Sequence, residues 1–239
     1  MGVRATCQHV TIASKCLVPY NCEILVFKES SVAQVPLPTP IYHFTHISNL
    51  SSLISSGGII CKNGVDSSSI TYQSSAYESV QGHRESFEVP VDPGGVIHDY
   101  VPFYFNSLSP MLYAVHRGNI PGVDMREVVF FKTTAQTVDG AGKLFVFTDG
   151  HGIMALTDYY NDLTELSEVP WNVVNAKYWN NFVDGSRLRQ SEFLVHSKLD
   201  WELIETIGVY NQTMKDRVES LIQHLAHKPS VEIKLGWYF

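Results

Sequence analysis

The chain has 239 residues, 44% of them hydrophobic, and a formal net charge of -7. That is enough apolar material for one sizeable core, and too little basic charge to coat nucleic acid wholesale, since non-specific affinity rests on neutralising many phosphates at once. No run approaches the roughly 18 to 20 apolar residues of a membrane-spanning helix and no basic segment leads an apolar signal core, so the sequence predicts a soluble, cytoplasmic protein that does not engage a membrane.

Residues 1–38 have mixed polarity, hold Cys7, Cys16 and Cys22, and leave through Val35-Pro36-Leu37-Pro38-Thr39-Pro40. They read as an N-terminal extension to a domain over 39–239. With Cys61 the cysteines show no C-x-x-C spacing, which predicts free thiols and neither a zinc site nor a disulfide framework. Residues 41–47 alternate as a strand that projects His43 and Thr45 to one side. Such a pair is either structural or able to hold a carboxamide or a ribose hydroxyl. Apolar positions 50, 53 and 54, followed by Gly57-Gly58, give a short helix and its stop.

Residues 63–86, rich in Ser, Tyr and Gln around a lone Arg84, read as a polar loop long enough to suggest function. A β-like stretch at 87–91 and a turn at Pro93-Gly94-Gly95 follow. Residues 99–113 then crowd aromatics and Met111 around two prolines, which rules out a regular amphipathic helix. They are either plain core or an aromatic wall for a planar ring.

Further strands are expected at 126–133, 143–148 and 231–239, and helices at 157–166, 171–179 and 214–224. Between strand and helix, Thr148-Asp149-Gly150-His151-Gly152 is a turn that leaves His151 exposed near a strand end. The polar run 180–188 delivers a last strand, Arg189-Gln190-Ser191-Glu192-Phe193-Leu194-Val195-His196, whose alternation puts Gln190 and Glu192 on one face. That is an ordinary strand start or an active-site arrangement. Lys177, Arg187, Arg189 and Lys198 outnumber Asp184 and Glu192 around it, a weak basic patch. The order of elements predicts an α+β domain on antiparallel strands. No P-loop, G-x-G-x-x-G, H-E-x-x-H or G-x-S-x-G motif is present.

Four segments in order, residues 41–50, 95–113 with their Asp-Tyr-Val-Pro-Phe-Tyr-Phe core, 189–196 and Trp237-Tyr238-Phe239, resemble the DarT family of DNA ADP-ribosyltransferase toxins from toxin–antitoxin systems. The resemblance implies an ADP-ribosyltransferase-like fold with a split antiparallel β core and flanking helices. It implies NAD+ as donor, no metal, and a base of single-stranded DNA, thymidine first, as acceptor. It implies Glu192 and Arg84 as catalytic, with Arg117 the nearest substitute for Arg84, and His43, Thr45, Tyr104, Met111 and His151 as the NAD+ pocket. Gln190, Arg187 and Arg189 fall to the DNA, and a DarG-like macrodomain antitoxin is the implied partner. In chemical terms, Glu192 would stabilise positive charge on the ribose as the nicotinamide bond breaks, while Arg84, protonated at ordinary pH, would position and polarise. The alternatives are the same fold acting on guanosine, RNA or protein, and a non-catalytic nucleic-acid binding module in which Glu192 is a surface carboxylate.

Overall fold

A computed structural model describes residues 34–68, 72–74 and 78–239. Residues 1–33, with Cys7, Cys16, Cys22 and most of the expected extension, lie outside the described residues. In chain order the elements are β1 (Pro40–His46), α1 (Leu50–Ser55), β2 (Gly58–Ile60), α2 (Lys62–Asp66), α3 (Glu78–Ser86), β3 (Tyr100–Tyr104) and α4 (Pro110–His116). There follow β4 (Val128–Thr134), α5 (Ala135–Gly140), β5 (Phe145–Thr148), β6 (Tyr159–Tyr160), α6 (Trp171–Val174) and α7 (Gly185–Leu188). The chain closes with β7 (Glu192–His196), β8 (Lys198–Asp200), β9 (Thr206–Val209), α8 (Gln212–Ile222) and β10 (Ser230–Ile233).

Eight strands form one sheet in the order β10-β9-β4-β1-β3-β7-β5-β6, while β2 and β8 pair apart. The central pairings are antiparallel. At one edge β9 and β10 run parallel, joined by α8 as a strand–helix–strand crossover. The sheet is split at its middle. β1 pairs with β4 along its whole length and β3 with β7 along its own, yet β1 and β3 share only the register Tyr42–Tyr104. Pro102 accounts for the break: it has no N–H to offer β1, and its carbonyl takes the His43 side chain instead.

One face of the sheet is a continuous core in which Phe103, Phe131, Phe147 and Phe193 are fully buried with α8 residues Met214, Val218 and Ile222. Each such phenylalanine contributes about 2–3 kcal/mol of transfer free energy. On the other face the two half-sheets carry separate cores. Leu112, Val115, Phe130 and Tyr238 cover one, and Ile97, Tyr100, Val146 and Leu194 the other. A cleft opens between them.

Strands β1, β4, β5 and helices α1 and α8 lie where hydrophobic periodicity puts them. Gly58, at φ +144°, is needed where β2 meets β8, since a Cβ there would sit 2.1 Å from the Leu199 carbonyl oxygen. Four expectations are corrected. Residues 63–86 hold α2 and α3 rather than one long loop, and Arg84 is on the last turn of α3. Residues 157–166 are not a helix: Tyr159 and Tyr160 pair with β5, and the Asp162 carboxylate caps a 3-10 turn by accepting from Thr164 N. The helix expected over 171–179 stops after Val174, because the carbonyls of Val173, Val174 and Ala176 accept from the Arg189 guanidinium. The last strand ends at Ile233, and Leu235–Trp237 turn as a 3-10 helix. Cys61 is a free, buried thiol whose sulfur accepts from Gly64 N at the start of α2.

Candidate active site

The cleft encloses about 810 Å³. One wall is the edge of β1 beyond Tyr42, where His43, Phe44 and Thr45 have lost their β3 partner. His43 Nδ1 donates to the Pro102 carbonyl at 2.8 Å, so the Nε2 of a neutral ring is left to accept. Burial lowers the His43 pKa against the raising effect of that bond, which keeps the ring neutral near pH 7. Phe103 and Phe131 hold the imidazole, with ring centroids at 5.5 and 6.3 Å. Thr45 Oγ1 accepts from Asn49 Nδ2 at 2.8 Å. The second wall is α4, started by the Ser109 hydroxyl, which accepts from Leu112 N, and by Pro110 at its first turn. It brings Met111 and Tyr113 to the cleft. Of the two prolines of 99–113, Pro102 thus lies inside the strand and Pro110 starts the helix.

At the floor, Arg84 and Glu192 form a two-bonded ion pair, Nη1 to Oε1 at 3.0 Å and Nη2 to Oε2 at 2.8 Å. Arg84 lines the cleft and the carboxylate, 1% exposed, lies behind it. Gly152 N donates to Glu192 Oε1 at 3.3 Å, and Glu192 N donates to Thr148 Oγ1 at 3.0 Å. Burial alone would push the carboxyl up; the charge and hydrogen bonds of Arg84, with smaller help from the Gly152 N–H, hold it below its ordinary value. Burial likewise opposes the charge on Arg84, and Glu192 outweighs it, leaving the guanidinium more firmly protonated. Tyr104 is in register with Glu192 across β3 and β7, and burial beside that carboxylate raises its phenol.

The turn after β5 is tied to the chain before β7. His151 N donates to the Arg187 carbonyl at 3.0 Å, Thr157 Oγ1 donates to the His151 carbonyl at 2.9 Å, and Arg187 Nη1 donates back to Thr157 Oγ1 at 3.1 Å. Arg187 also pairs with Asp184 through Nε and with Asp149 at 3.5 Å. His151 is half-buried on the cleft wall rather than exposed, and its Nδ1 is enclosed without a partner. Burial pulls its pKa down, so the ring is neutral.

The structure therefore brings Arg84, His43, Thr45, Tyr104, Met111, His151, Gln190 and Arg187 to one cleft, with Glu192 directly beneath. Gln190 Nε2 donates to the Ser186 carbonyl at the rim. Arg189 does not join them. It is 3% exposed, is not among the residues that line the cleft, and donates to the carbonyls of Leu108, Val173, Val174 and Ala176 and to Asn106 Oδ1. Arg117 is exposed at the C-cap of α4 and makes no contact with Glu192. Sequence reasoning missed Asn49, Gly152 and the Asp149–Arg187 bridge. The two glycines beside His151 were the available signal for Gly152, whereas pairings between distant segments carry none.

A family model described as "ssDNA thymidine ADP-ribosyltransferase, DarT" matches residues 42–239. A DNA ADP-ribosyl transferase of Thermus sp. (strain 2.9) is 39% identical over 207 residues, covering 85% of this chain and 98% of that one. The fold superposes on Thermus sp. 2.9 DarT in complex with ADP-ribosylated ssDNA with a TM-score of 0.82, at 38% identity, over 86% of this chain and 99% of that one. The same enzyme in complex with NAD+ gives 0.78 at 36% identity, over 86% and 100% of the two chains. With the split sheet and the cleft at its opening, these matches show that the chain belongs to the DarT family and has its α+β, ADP-ribosyltransferase-like fold.

Proposed function

We propose that the protein transfers ADP-ribose from NAD+ to a thymidine base in single-stranded DNA, as the toxin of a toxin–antitoxin pair restrained by a DarG-like macrodomain partner. Residues 39–239 are the catalytic unit in this reading and residues 1–38 an appendage. The observation that carries it is the buried Arg84–Glu192 pair at the floor of the cleft. The volume, about 810 Å³, suits a dinucleotide, lying within the roughly 300–1,000 Å³ of small-molecule pockets. The enclosed, unpartnered Nδ1 of His151 fits a wall completed by a ligand.

NAD+ supplies the ADP-ribose, and breaking its bond to nicotinamide builds positive charge on the ribose. Glu192, kept ionised, stabilises that charge from beneath. To reach a ribose hydroxyl it needs Arg84 to release one oxygen, and the bond that remains keeps the carboxylate aimed. Arg84 stays protonated and acts by position and field on phosphate or on the incoming base, whose nitrogen bonds to the ribose carbon that nicotinamide leaves and gives up its proton to water. His43, Thr45, Tyr104, Met111 and His151 form the walls for the donor, and Gln190 with Arg187 stands where the base enters. An unpaired strand spares the cost of extracting a base from a duplex. Relatives described as DNA ADP-ribosyl transferases, solved with NAD+ and with ADP-ribosylated ssDNA, support the same chemistry.

The test is labelled NAD+ with single-stranded oligonucleotides of differing base content, using the wild-type protein and Glu192→Gln. Label on thymidine-containing strands, with kcat lowered about 10²–10³-fold or more in Glu192→Gln and NAD+ binding kept, is the expected result. Label confined to guanosine strands, to RNA or to protein moves the acceptor within the same enzyme class. Equal activity in the variant overturns the reading.

A further inference from the structure

The two oxygens of the Glu192 carboxylate are not held alike. Oε1 accepts from Arg84 Nη1 at 3.0 Å and from Gly152 N at 3.3 Å, whereas Oε2, among the described residues, accepts from Arg84 Nη2 alone at 2.8 Å. Each carboxylate oxygen offers two lone pairs, so Oε1 is filled and Oε2 keeps one open. The donor to Oε1 that does not belong to Arg84 sits on the turn after β5, and its aim is only as firm as that turn.

Tyr159 fixes it. Its hydroxyl donates to the Gly152 carbonyl at 2.8 Å, so residue 152 is gripped at both ends, its N–H by the carboxylate and its C=O by the phenol. Tyr159 is 8% exposed and lies outside the lining of the cleft. Burial, with the Glu192 charge behind it, pushes the phenol above its ordinary value, which keeps it a donor near neutral pH. The backbone of Tyr159 is in register with Thr148, whose Oγ1 accepts from Glu192 N, and its ring stacks on Phe87, the residue after α3, at 6.3 Å. One side chain thus touches the turn that serves Glu192 and the chain just beyond Arg84. The fit is close: a Cβ at Gly152 would lie 3.0 Å from Tyr159 Oη, 3.2 Å from Ile97 Cδ1 and 3.6 Å from Glu192 Oε1.

We propose, on the reading of Glu192 as the catalytic carboxylate, that Tyr159 is a positioning residue which anchors Glu192 Oε1 through Gly152, so that Oε2 is the oxygen Arg84 yields to the ribose. A carboxylate that gives up one of its two Arg84 bonds can pivot about the other. With Gly152 fixed, Oε1 keeps donors from two directions and the group stays aimed. The Gly152 bond is the longest of the three and has room to shorten as the grip of Arg84 loosens. Tyr159 meets no ligand and acts on the reaction only through Gly152 and Glu192.

Tyr159→Phe keeps the ring and its stacking on Phe87 and removes the hydroxyl. Transfer from labelled NAD+ to a thymidine-containing single strand should lose about tenfold in kcat, with the KM and Kd of NAD+ within about twofold of wild type. In a Glu192→Gln background the same change should cost less than about twofold, since the anchor then aims nothing. Gly152→Ala should cost at least as much as Tyr159→Phe, and the two together no more than Gly152→Ala alone, because removing the phenol oxygen frees space for the methyl group. Full kcat in Tyr159→Phe overturns the anchor. So does an equal loss in the Glu192→Gln background, which marks a merely structural hydroxyl, and so does a raised KM with kcat held, which places Tyr159 in donor binding. Full transfer by Glu192→Gln alone is a failure of the catalytic reading itself; it is seen before any Tyr159 variant is compared and removes the anchor with it.

Discussion

Two arginines are buried in this protein to nearly the same degree and by opposite means. Arg84, 7% exposed, has one partner, and that partner is a carboxylate. Arg189, 3% exposed, has no carboxylate and spreads its donors over four backbone carbonyls and the side chain of Asn106. Their ionisation departs in opposite directions. Burial works against the charge of Arg84, and Glu192 more than restores it; burial alone acts on Arg189 and brings it down to about 10, still protonated at neutral pH. A charge met by a single opposite charge can exchange its bonds for those of a ligand at the cleft. A charge met by carbonyls from two distant segments, 106–108 and 173–176, is a staple, and the helix that stops at Val174 is its consequence.

Breaking the first arrangement has the larger effect. Arg84→Ala leaves an ionised carboxylate enclosed without a partner and should cost about 3–5 kcal/mol of stability, with loss of transfer. The double variant Arg84→Met with Glu192→Leu removes both charges and should recover most of that stability while remaining inactive, read as melting temperature against activity. Only a pair kept for chemistry gives this pattern. The pH dependence sharpens it. Glu192 has its folded-state pKa held below the ordinary 4.5, so its contribution is complete above that value and is lost as pH falls through the lower one. Wild-type stability should therefore drop more steeply below about pH 4.5 than that of the double variant, and parallel curves would remove Glu192 from the account.

Breaking the second arrangement should show the reverse division. Arg189→Met strands the carbonyls of Leu108, Val173, Val174 and Ala176 and should cost about 2–4 kcal/mol in denaturant unfolding. The NAD+ affinity of the molecules that stay folded should change little, because no donor of Arg189 faces the cleft. A variant of full stability that binds NAD+ poorly would show that Arg189 serves the ligand after all.

The contrast also explains what could be read in the sequence. Alternation in 41–47 and the 214–224 spacing report local burial, so β1 and α8 were legible. Glu192 was legible because it opens a strand whose apolar second half fixes the face of each side chain. Arg84 could be named through resemblance, but its helix could not be seen: α3 is polar except for Val80 and carries Gly82, so no apolar stripe marks it. The false helix at 157–166 had the right spacing, yet Tyr159 and Tyr160 find β5 as a partner, and aromatic side chains favour that pairing. Arg187 and Arg189 are two residues apart and look alike in sequence. Apart from Asp184, three residues before Arg187, their partners come from segments 13 to 83 residues away, which no local pattern encodes, and so one lines the cleft and the other is a staple.

Arg187 stands between these extremes and gives the smallest expected effect. Its guanidinium bridges Asp184, Asp149 and Thr157, and its carbonyl accepts from His151 N, so it fixes the turn that carries His151 and Gly152 against the chain that carries Gln190 and Glu192. Lysine keeps the charge but cannot fork between two carboxylates. Arg187→Lys should lower stability by about 1 kcal/mol or less, as partly solvated ion pairs do. A role in positioning appears as a rise of about fivefold in KM for NAD+ with kcat nearly held, matched by Asp149→Asn and not further increased when the two are combined, since both act through one bridge. Additive losses would mean instead that Arg187 meets the substrate on its own account, through donors that the bridge does not use.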